Sequence, residues 1–172
     1  MEFKTLIKLK DEIKVSFIVT IGEKVFSEIN ENDERYFDGR EALDKCWKWA
    51  ENKSISADDL YELIDNAECT GISEFAEDEE NLDIARLWNL IVDIVSYTAW
   101  MGYKKENTKY LPQALESIKE DSIIILLKSA VETNFITEKE VLIMQQKLLS
   151  NYKSDEDMVI SKEDFINKVM IK

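Results

Sequence analysis

The stretch LDIARLWNLIVDIVSYTAWMGYKK, from Leu82 to Lys105, decides the fold of this chain. Nearly all of it is apolar, and its polar residues recur three or four positions apart in one narrow stripe, formed by Asp83, Arg86, Asn89, Asp93 and Ser96. A helix with so thin a polar face has to be surrounded by other elements. The sequence therefore predicts a central apolar helix near residues 82–105.

Three further helices begin with a shared local pattern. Ser56, Thr137 and Ser161 each follow an isoleucine and precede an acidic residue by three positions. The hydroxyl can accept hydrogen bonds from the first free backbone N–H groups, and the isoleucine can pack on the apolar residue five positions later. This pattern predicts helix starts at these three positions.

Apolar periodicity predicts the remaining helices. Residues 3–29 place apolar side chains mostly three or four apart, although the β-branched run at 13–21 leaves a strand open there. Asp38 is predicted to cap a helix that ends near Asn52. Glycine and proline are scarce, four and one, which disfavours the tight turns of hairpins. We therefore predict an all-α, single-domain bundle of about seven or eight helices over residues 1–172.

The distribution of apolar and charged residues also indicates where the protein resides. The N-terminal segment reaches Asp11 and Glu12 before any continuous apolar run, so no signal peptide is predicted. The most apolar segment, 94–103, is too short to span a membrane. Two cysteines do not make a disulfide framework and are typical of reduced thiols. We therefore expect a cytoplasmic protein that does not bind membranes.

No pattern of catalytic or metal-binding residues is present. The chain has no histidine, which excludes Ser-His and Cys-His nucleophile pairs and histidine-containing metal sites. The stretches 66–77 and 153–164 resemble calcium loops only in part, because neither begins with aspartate. We predict that the protein is not an enzyme and has no cofactor and no metal site. A helical enzyme based on carboxylates is the alternative, and it would need two carboxylates of opposed pKa in a deep cleft.

The negative charge of the chain is concentrated in one segment. Between Lys53 and Arg86 there is no basic residue, and eleven carboxylates account for all but three of the 14 net negative charges. Such a field attracts a positively charged partner and accelerates its encounter, whereas nucleic acids and anionic membranes are bound by Lys/Arg-rich surfaces. We therefore predict a basic protein partner and no nucleic acid. A solvated face that only keeps the protein soluble is the alternative.

The predicted partner-binding surface centres on the acidic loop at 74–83, whose crowded acids at 77–80 have no basic neighbour in sequence. Phe75 is its candidate apolar anchor, because aromatic residues are frequent binding hot spots. The residues assigned to this surface are Asp58, Asp59, Glu62, Asp65, Glu74, Phe75, Glu77, Asp78, Glu79, Glu80 and Asp83.

Two tryptophans two positions apart could form a recognition surface of their own. Trp47 and Trp49 point about 200° apart on a helix, so at most one of them faces a core squarely. Because buried aromatic residues dominate protein cores, we interpret both as core residues, with Trp47 inward beside Leu43 and Trp49 against a neighbouring helix.

A more specific pattern comes from four groups of residues: Arg40-x-Ala42-Leu43-x-x-Cys46-Trp47-x-Trp49, Leu60-Tyr61-x-Leu63-x-Asp65, Trp88 with Tyr97-Thr98-x-Trp100-x-x-Tyr103, and Tyr110-Leu111-Pro112-Gln113. Over about residues 35–120 the chain resembles the sixth numbered immunity-protein family of bacterial polymorphic toxin systems. The matched Trp, Tyr and Pro residues are expected to belong to the scaffold.

The resemblance implies a predominantly α-helical protein encoded beside a secreted or contact-delivered toxin. Such proteins bind the cognate toxin domain in the cytoplasm of the producing cell and inactivate it without catalysis. Many toxins of these systems are nucleases, whose basic surfaces grip phosphates, and such a surface would suit the acidic segment. A helical adaptor or regulatory module that binds another basic protein is the alternative, and a toxin gene next to this one would favour immunity.

Overall fold

The computed structural model of the chain describes residues 3–153 and 157–172. Within these residues the chain forms seven α-helices and three short 3₁₀ helices and no strand, which confirms the predicted all-α class. The α-helices are α1 (Asp11–Phe26), α2 (Tyr36–Asn52), α3 (Ala57–Glu62), α4 (Leu82–Lys105), α5 (Ser122–Glu132), α6 (Glu138–Asn151) and α7 (Lys162–Val169). The 3₁₀ helices are Lys4–Lys8, Ile72–Glu74 and Gln113–Leu115.

Helix α4 lies at the centre of the fold, as its narrow polar stripe predicts. It packs against α1, α2, α3 and α5, and twelve of its 24 residues are buried. The stripe stays at the surface, where Asn89 and Asp93 are exposed. At Gly102 the helix comes close to α3, because a Cβ atom there would lie 3.0 Å from the Cβ atom of Ala57. This approach places the start of the acidic segment beside the C-terminal half of α4.

The open question at 13–21 is settled in favour of a helix. Every residue from Ile13 to Gly22 in α1 is buried, so the helix is surrounded and shows no amphipathic stripe. The hydroxyls of Ser16 and Thr20 each donate a hydrogen bond to the carbonyl oxygen four residues earlier, at 2.7 Å. Burial on all sides explains why a β-branched sequence is helical here, since tertiary packing overrides the weak propensity.

The three predicted helix starts are confirmed. Ser56 and Ser161 accept hydrogen bonds from the backbone N–H groups of Asp59 and Asp164, and Thr137 forms a full capping box with Glu140. These side chains satisfy N–H groups that have no partner inside the helix. The shared pattern therefore fixes where α3, α6 and α7 begin.

The prediction that Asp38 caps a helix is wrong. Helix α2 begins at Tyr36, and Asp38 lies within its first turn. The carboxylate of Asp33 accepts the backbone N–H of Arg35 at 2.9 Å, and the Asp33 carbonyl accepts that of Tyr36 at 3.0 Å. This turn starts the helix three residues earlier than the sequence pattern suggests.

Both tryptophans of α2 are core residues, as interpreted from the sequence. Trp47 and Trp49 are 1 % and 2 % exposed. The indole N–H of Trp47 donates to a carboxylate oxygen of Glu23 in α1 at 3.0 Å, and its ring packs edge-on against Phe165 of α7. Trp49 lies beside Gly102 of α4. The two rings therefore fill different parts of one core and leave no aromatic recognition surface on α2.

Charged groups join α1, α2 and α7 around this tryptophan. Arg40 Nη1 donates to Glu23 Oε2 at 2.8 Å, and Lys162 Nζ lies 3.1 Å from Asp44 Oδ1.

None of the helices in the described residues is both long and apolar enough to cross a membrane.

Candidate functional site

The acidic segment between α3 and α4 folds back on itself. The backbone N–H of Ile72 donates to the carbonyl of Leu63 at 2.9 Å, and the hydroxyl of Ser73 donates to the carbonyl of Ile64 at 2.7 Å. Gly71 makes this closure possible, because a Cβ atom there would lie 1.9 Å from the Ile64 oxygen. The short helix Ile72–Glu74 follows from this closed loop and leads into the crowded acids.

Arg35 fastens the acidic segment to the turn before α2. Its Nη2 lies 2.8 Å from Oε2 of Glu79 and 2.8 Å from Oδ2 of Asp33, and its Nη1 donates to the carbonyl of Phe75 at 3.3 Å. Hydrogen bonds from the backbone N–H of Asn81 and from Arg35 lower the pKa of Glu79. The acids at 77–80 have no basic neighbour in sequence, but the fold brings Arg35 from a distant loop to Glu79.

The remaining acids of this loop face solvent. Glu77, Asp78 and Glu80 are exposed, as is Glu74. None of these four forms an ion pair with another of the described residues. A row of unpaired carboxylates held on an ordered loop presents a fixed negative field to an approaching partner.

Phe75 does not project from this surface. It is half-buried, and its ring stacks edge-on against Trp88, with the ring centroids 5.0 Å apart. The exposed apolar side chains nearby in the fold are Phe37, at the start of α2, and Leu82, at the start of α4, which are 75 % and 61 % exposed. These two residues escaped the sequence analysis. The exposure of Phe37 could have been predicted from the sequence, because on a helix Phe37 lies away from the apolar face that Leu43 and Trp47 define.

A groove between α2 and α3 gathers four carboxylates. Asp59 and Glu62 line it together with Asp38 and Glu41, and its volume is about 330 Å³. Lys45, the one basic residue among its described lining residues, is already paired with Glu41 at 2.8 Å. The apolar lining is formed by Ile55, Leu63 and Ile72. The fold thus adds two acids of α2 that the sequence analysis did not assign to the surface.

Ile72 connects this groove to the acidic loop, because it lines the groove and begins the helix that precedes the crowded acids. We call the combined set the acidic surface. It consists of Asp38, Glu41, Asp59, Glu62, Glu74, Glu77, Asp78, Glu79 and Glu80.

Three other predicted site residues make separate contacts. Asp58 accepts the hydroxyl of Tyr103 at 2.6 Å, and burial together with this bond raises the pKa of Tyr103. Asp65 accepts the hydroxyl of Tyr61 at 3.2 Å. Asp83 accepts an amide N–H from Asn134 at 2.8 Å, on the side of α4 that faces α5. The structure therefore brings most of the predicted acids together and sets these three apart.

The two cysteines differ in their surroundings. Cys46 is buried in the core, where loss of solvent raises the pKa of its thiol to about 12. Cys69 is exposed on the acidic segment. The described residues contain no group of carboxylates and thiols arranged to hold a metal ion. The calcium-like stretch at 153–164 lies partly outside the described residues.

Comparison with protein families identifies the class to which this acidic helical protein belongs. The family model described as Immunity protein Imm6 matches residues 13–133, which is more than half of the chain. The chain therefore belongs to the Imm6 family of immunity proteins, which confirms the resemblance inferred from its motifs. Neither the curated proteins nor the solved structures gave a match.

The residues that carried the resemblance are mainly scaffold. Trp88, Tyr97 and Tyr103 of α4 are buried like the two tryptophans of α2. Tyr110, Asp65 and Gln113 are exposed, and Tyr110 is 77 % exposed in the loop after α4. Most residues of the family pattern therefore belong to the core and do not form a binding surface.

Proposed function

We propose that this immunity protein neutralises one cognate toxin domain by tight one-to-one binding in the cytoplasm of the producing cell, and that the acidic surface is where the toxin docks. Membership of the Imm6 family supplies the class of function. The toxin surface would be basic, of the kind with which a nuclease grips phosphates. The protein would act by occupying this surface and not by a chemical reaction.

One observation carries this proposal: negative charge from separate parts of the chain converges without enough internal cations to neutralise it. Asp38 and Glu41 of α2 join Asp59 and Glu62 of α3 in one groove, where Lys45 is the single basic residue of the lining that the structure describes. Like charges placed together disfavour the folded protein, and a cationic partner relieves that repulsion. Charges scattered over the surface would keep the protein soluble equally well, so solubility does not explain why these acids are clustered.

Exposed apolar residues beside the acids complete an interface of the usual composition. Interfaces combine a desolvated apolar centre with a charged rim, and aromatic residues are the most frequent hot spots. Phe37 takes the role of anchor in this proposal, with Leu82 as a second apolar contact and Phe75 as the support beneath the loop. Charge would accelerate association, and burial of Phe37 would slow dissociation.

The test reverses the charge of the unpaired acids and leaves the ion pair between Glu79 and Arg35 intact. Glu77, Asp78 and Glu80 are changed to Lys together, and association with the toxin domain encoded beside this gene is measured at low and high salt. We expect association at low salt to slow by about 10-fold or more, with a much weaker salt dependence, because electrostatic steering is lost.

A second triple variant serves as a matched control. Glu28, Glu138 and Glu163 are changed to Lys, which alters the total charge equally at exposed positions outside the acidic surface. We expect its association rate to change by less than about 3-fold. Equal association rates and equal salt slopes for the two triple variants would exclude the acidic surface as the docking site.

The absence of catalysis has its own measurement. Toxin activity is titrated with increasing amounts of the immunity protein at concentrations far above the dissociation constant. Stoichiometric binding predicts a linear fall in activity that ends at one immunity protein per toxin. Complete inhibition at a small fraction of that ratio would show turnover and would contradict a binding mechanism.

A further inference from the structure

A second groove lies between α4 and α5, apart from the acidic surface. Its volume is about 350 Å³. Its main lining residues are Asp93, Ser96 and Tyr97 of α4 and Ile118, Ile125 and Leu126 of the following segment and α5. The proposed docking of the acidic surface does not use this groove.

Among the residues that the structure describes, Asp93 is the one charged residue that lines the groove. Among the described residues, no basic side chain forms an ion pair with it. Loss of solvent on the side of the groove walls raises the pKa of its carboxyl group to about 6. Water reaches the side chain from the open side, but the surrounding protein displaces much of the solvent that would stabilise its charge. The groove therefore holds a carboxylate that has no counter-ion within residues 3–153 and 157–172.

The rest of the groove combines apolar walls with hydroxyl groups. Ile125 is 66 % exposed at its edge, while Leu126 is buried. Hydroxyls come from Ser96, Ser117 and Ser122. A long basic side chain has the complementary composition, because its apolar stem prefers apolar walls and its charged end donates hydrogen bonds to oxygen atoms.

We propose that this groove receives one lysine or arginine side chain of the toxin domain, with Asp93 as its ion-pair partner and Ile118 and Leu126 against its stem. This inference rests on the proposed function, since the toxin is the partner in both. An ion pair formed in a partly desolvated groove acts mainly on the dissociation rate, whereas the exposed acids of the acidic surface act on association.

One toxin domain can reach both places. Asp93 follows Asp83 by ten residues on α4, which corresponds to about 15 Å along the helix axis. Asp83 contacts Asn134, and Arg86 donates to the carbonyl of Glu132, so this edge of α4 runs beside α5 from the end of the acidic loop to the groove. An interface of ordinary size, about 800 Å² on each partner, is wide enough to include both.

The experiment measures dissociation of the full-length variants from the toxin domain encoded beside this gene. Asp93→Asn keeps the shape of the side chain and removes its charge, and Ile125→Ser removes the apolar edge. We expect each to accelerate dissociation by about 10-fold, at low and at high salt, since the contact is shielded from ions. Both positions are exposed, and thermal unfolding verifies that the variants are folded.

Glu116→Gln is the matched control, because it removes one charge next to Ser117 without lining the groove. It is expected to change dissociation by less than about 2-fold. Unchanged dissociation of Asp93→Asn from a toxin that binds the wild-type protein would overturn the groove contact alone. Absence of any binding by the wild-type protein would overturn both proposals. Altered self-association with unchanged toxin binding would assign the groove to a second copy of the chain and would also overturn it.

Discussion

Nη2 of Arg35 lies 2.8 Å from Oε2 of Glu79, although 44 residues separate them in the chain. This pair joins the turn before α2 to the acidic loop before α4. The same guanidinium lies over the ring of Trp88, 5.2 Å from its centroid. Arg35 therefore positions a loop whose other acids repel one another, and it does so from the edge of the core.

Replacing Arg35 by Gln tests this role. The loop would lose its ion pair with Glu79 and the bond to the Phe75 carbonyl, so we expect faster amide hydrogen exchange over residues 75–81 and a loss of about 1 kcal/mol in the free energy of unfolding. Arg86→Gln is the control, because its nearest carboxylate oxygen, on Asp83, lies 3.7 Å away. Exchange at 75–81 that is equal in both variants would show that Arg35 does not hold the loop.

Gly71→Ala tests the closure of the acidic segment. The backbone angles of Gly71, φ −66° and ψ 155°, suit any residue, so only the contact with Ile64 forbids a side chain. We expect the free energy of unfolding to fall by about 3 kcal/mol, measured by urea denaturation. Gly102→Ala, whose Cβ atom would meet its neighbours at 3.0 Å or more, should cost less. The opposite ranking of the two variants would contradict this reading of the loop.

Asp93→Asn is predicted to stabilise the protein at neutral pH. A carboxyl group whose pKa is raised to about 6 binds a proton in the folded state at pH values where the unfolded chain has lost it. The contribution of Asp93 to the free energy of unfolding therefore falls as the pH rises from about 4 to about 6. Above that range the ionised carboxylate destabilises the folded protein by a constant amount. We expect a gain of up to about 1 kcal/mol at pH 7.5, because water still reaches the side chain and weakens the effect.

Urea denaturation at two pH values checks this sign. At pH 3 the carboxyl group is mostly protonated in both states, because the ordinary pKa of an aspartate is about 3.9, so Asp93→Asn should nearly match the wild-type protein. A variant that is less stable at pH 7.5 than the wild-type protein would show that the Asp93 charge is already compensated within the fold. The comparison is independent of any partner.

Thr137→Ala separates stability from binding. The change removes the capping box that starts α6 and should lower the free energy of unfolding by about 1 kcal/mol. Thr137→Ser keeps the hydroxyl and should lose much less. Because α6 contributes nothing to the acidic surface or to the α4–α5 groove, we expect both variants to bind the toxin with unchanged affinity. A tenfold loss of affinity on Thr137→Ala would place the interface elsewhere.

The local helix signals in this sequence were reliable because they act within one turn. The hydroxyls that cap α3, α6 and α7 bind backbone N–H groups three residues away, and these contacts do not depend on tertiary packing. The capping residues are Ser56, Thr137 and Ser161. Asp38 fails as a cap because the turn at Asp33 has already started the helix. Helix α1 could not be assigned with certainty, since a helix buried on all sides has no periodic polar face.

The candidate site was predictable in composition and not in arrangement. The run without basic residues shows where the acids lie, but not that α2 adds Asp38 and Glu41 to the same groove. Nor does it reveal that Arg35 neutralises Glu79 from a turn far away in sequence. Charge pairing across a fold depends on tertiary contacts, and a single sequence contains no direct record of them.

The difference between the two thiols gives this protein a built-in labelling handle. Cys46 is sealed in the core and inert, so a maleimide dye would attach at Cys69 alone, in the segment that contributes most of the acidic surface. Toxin binding can then be measured without an engineered cysteine, because the change in dye fluorescence after mixing would give the association rate for the natural sequence.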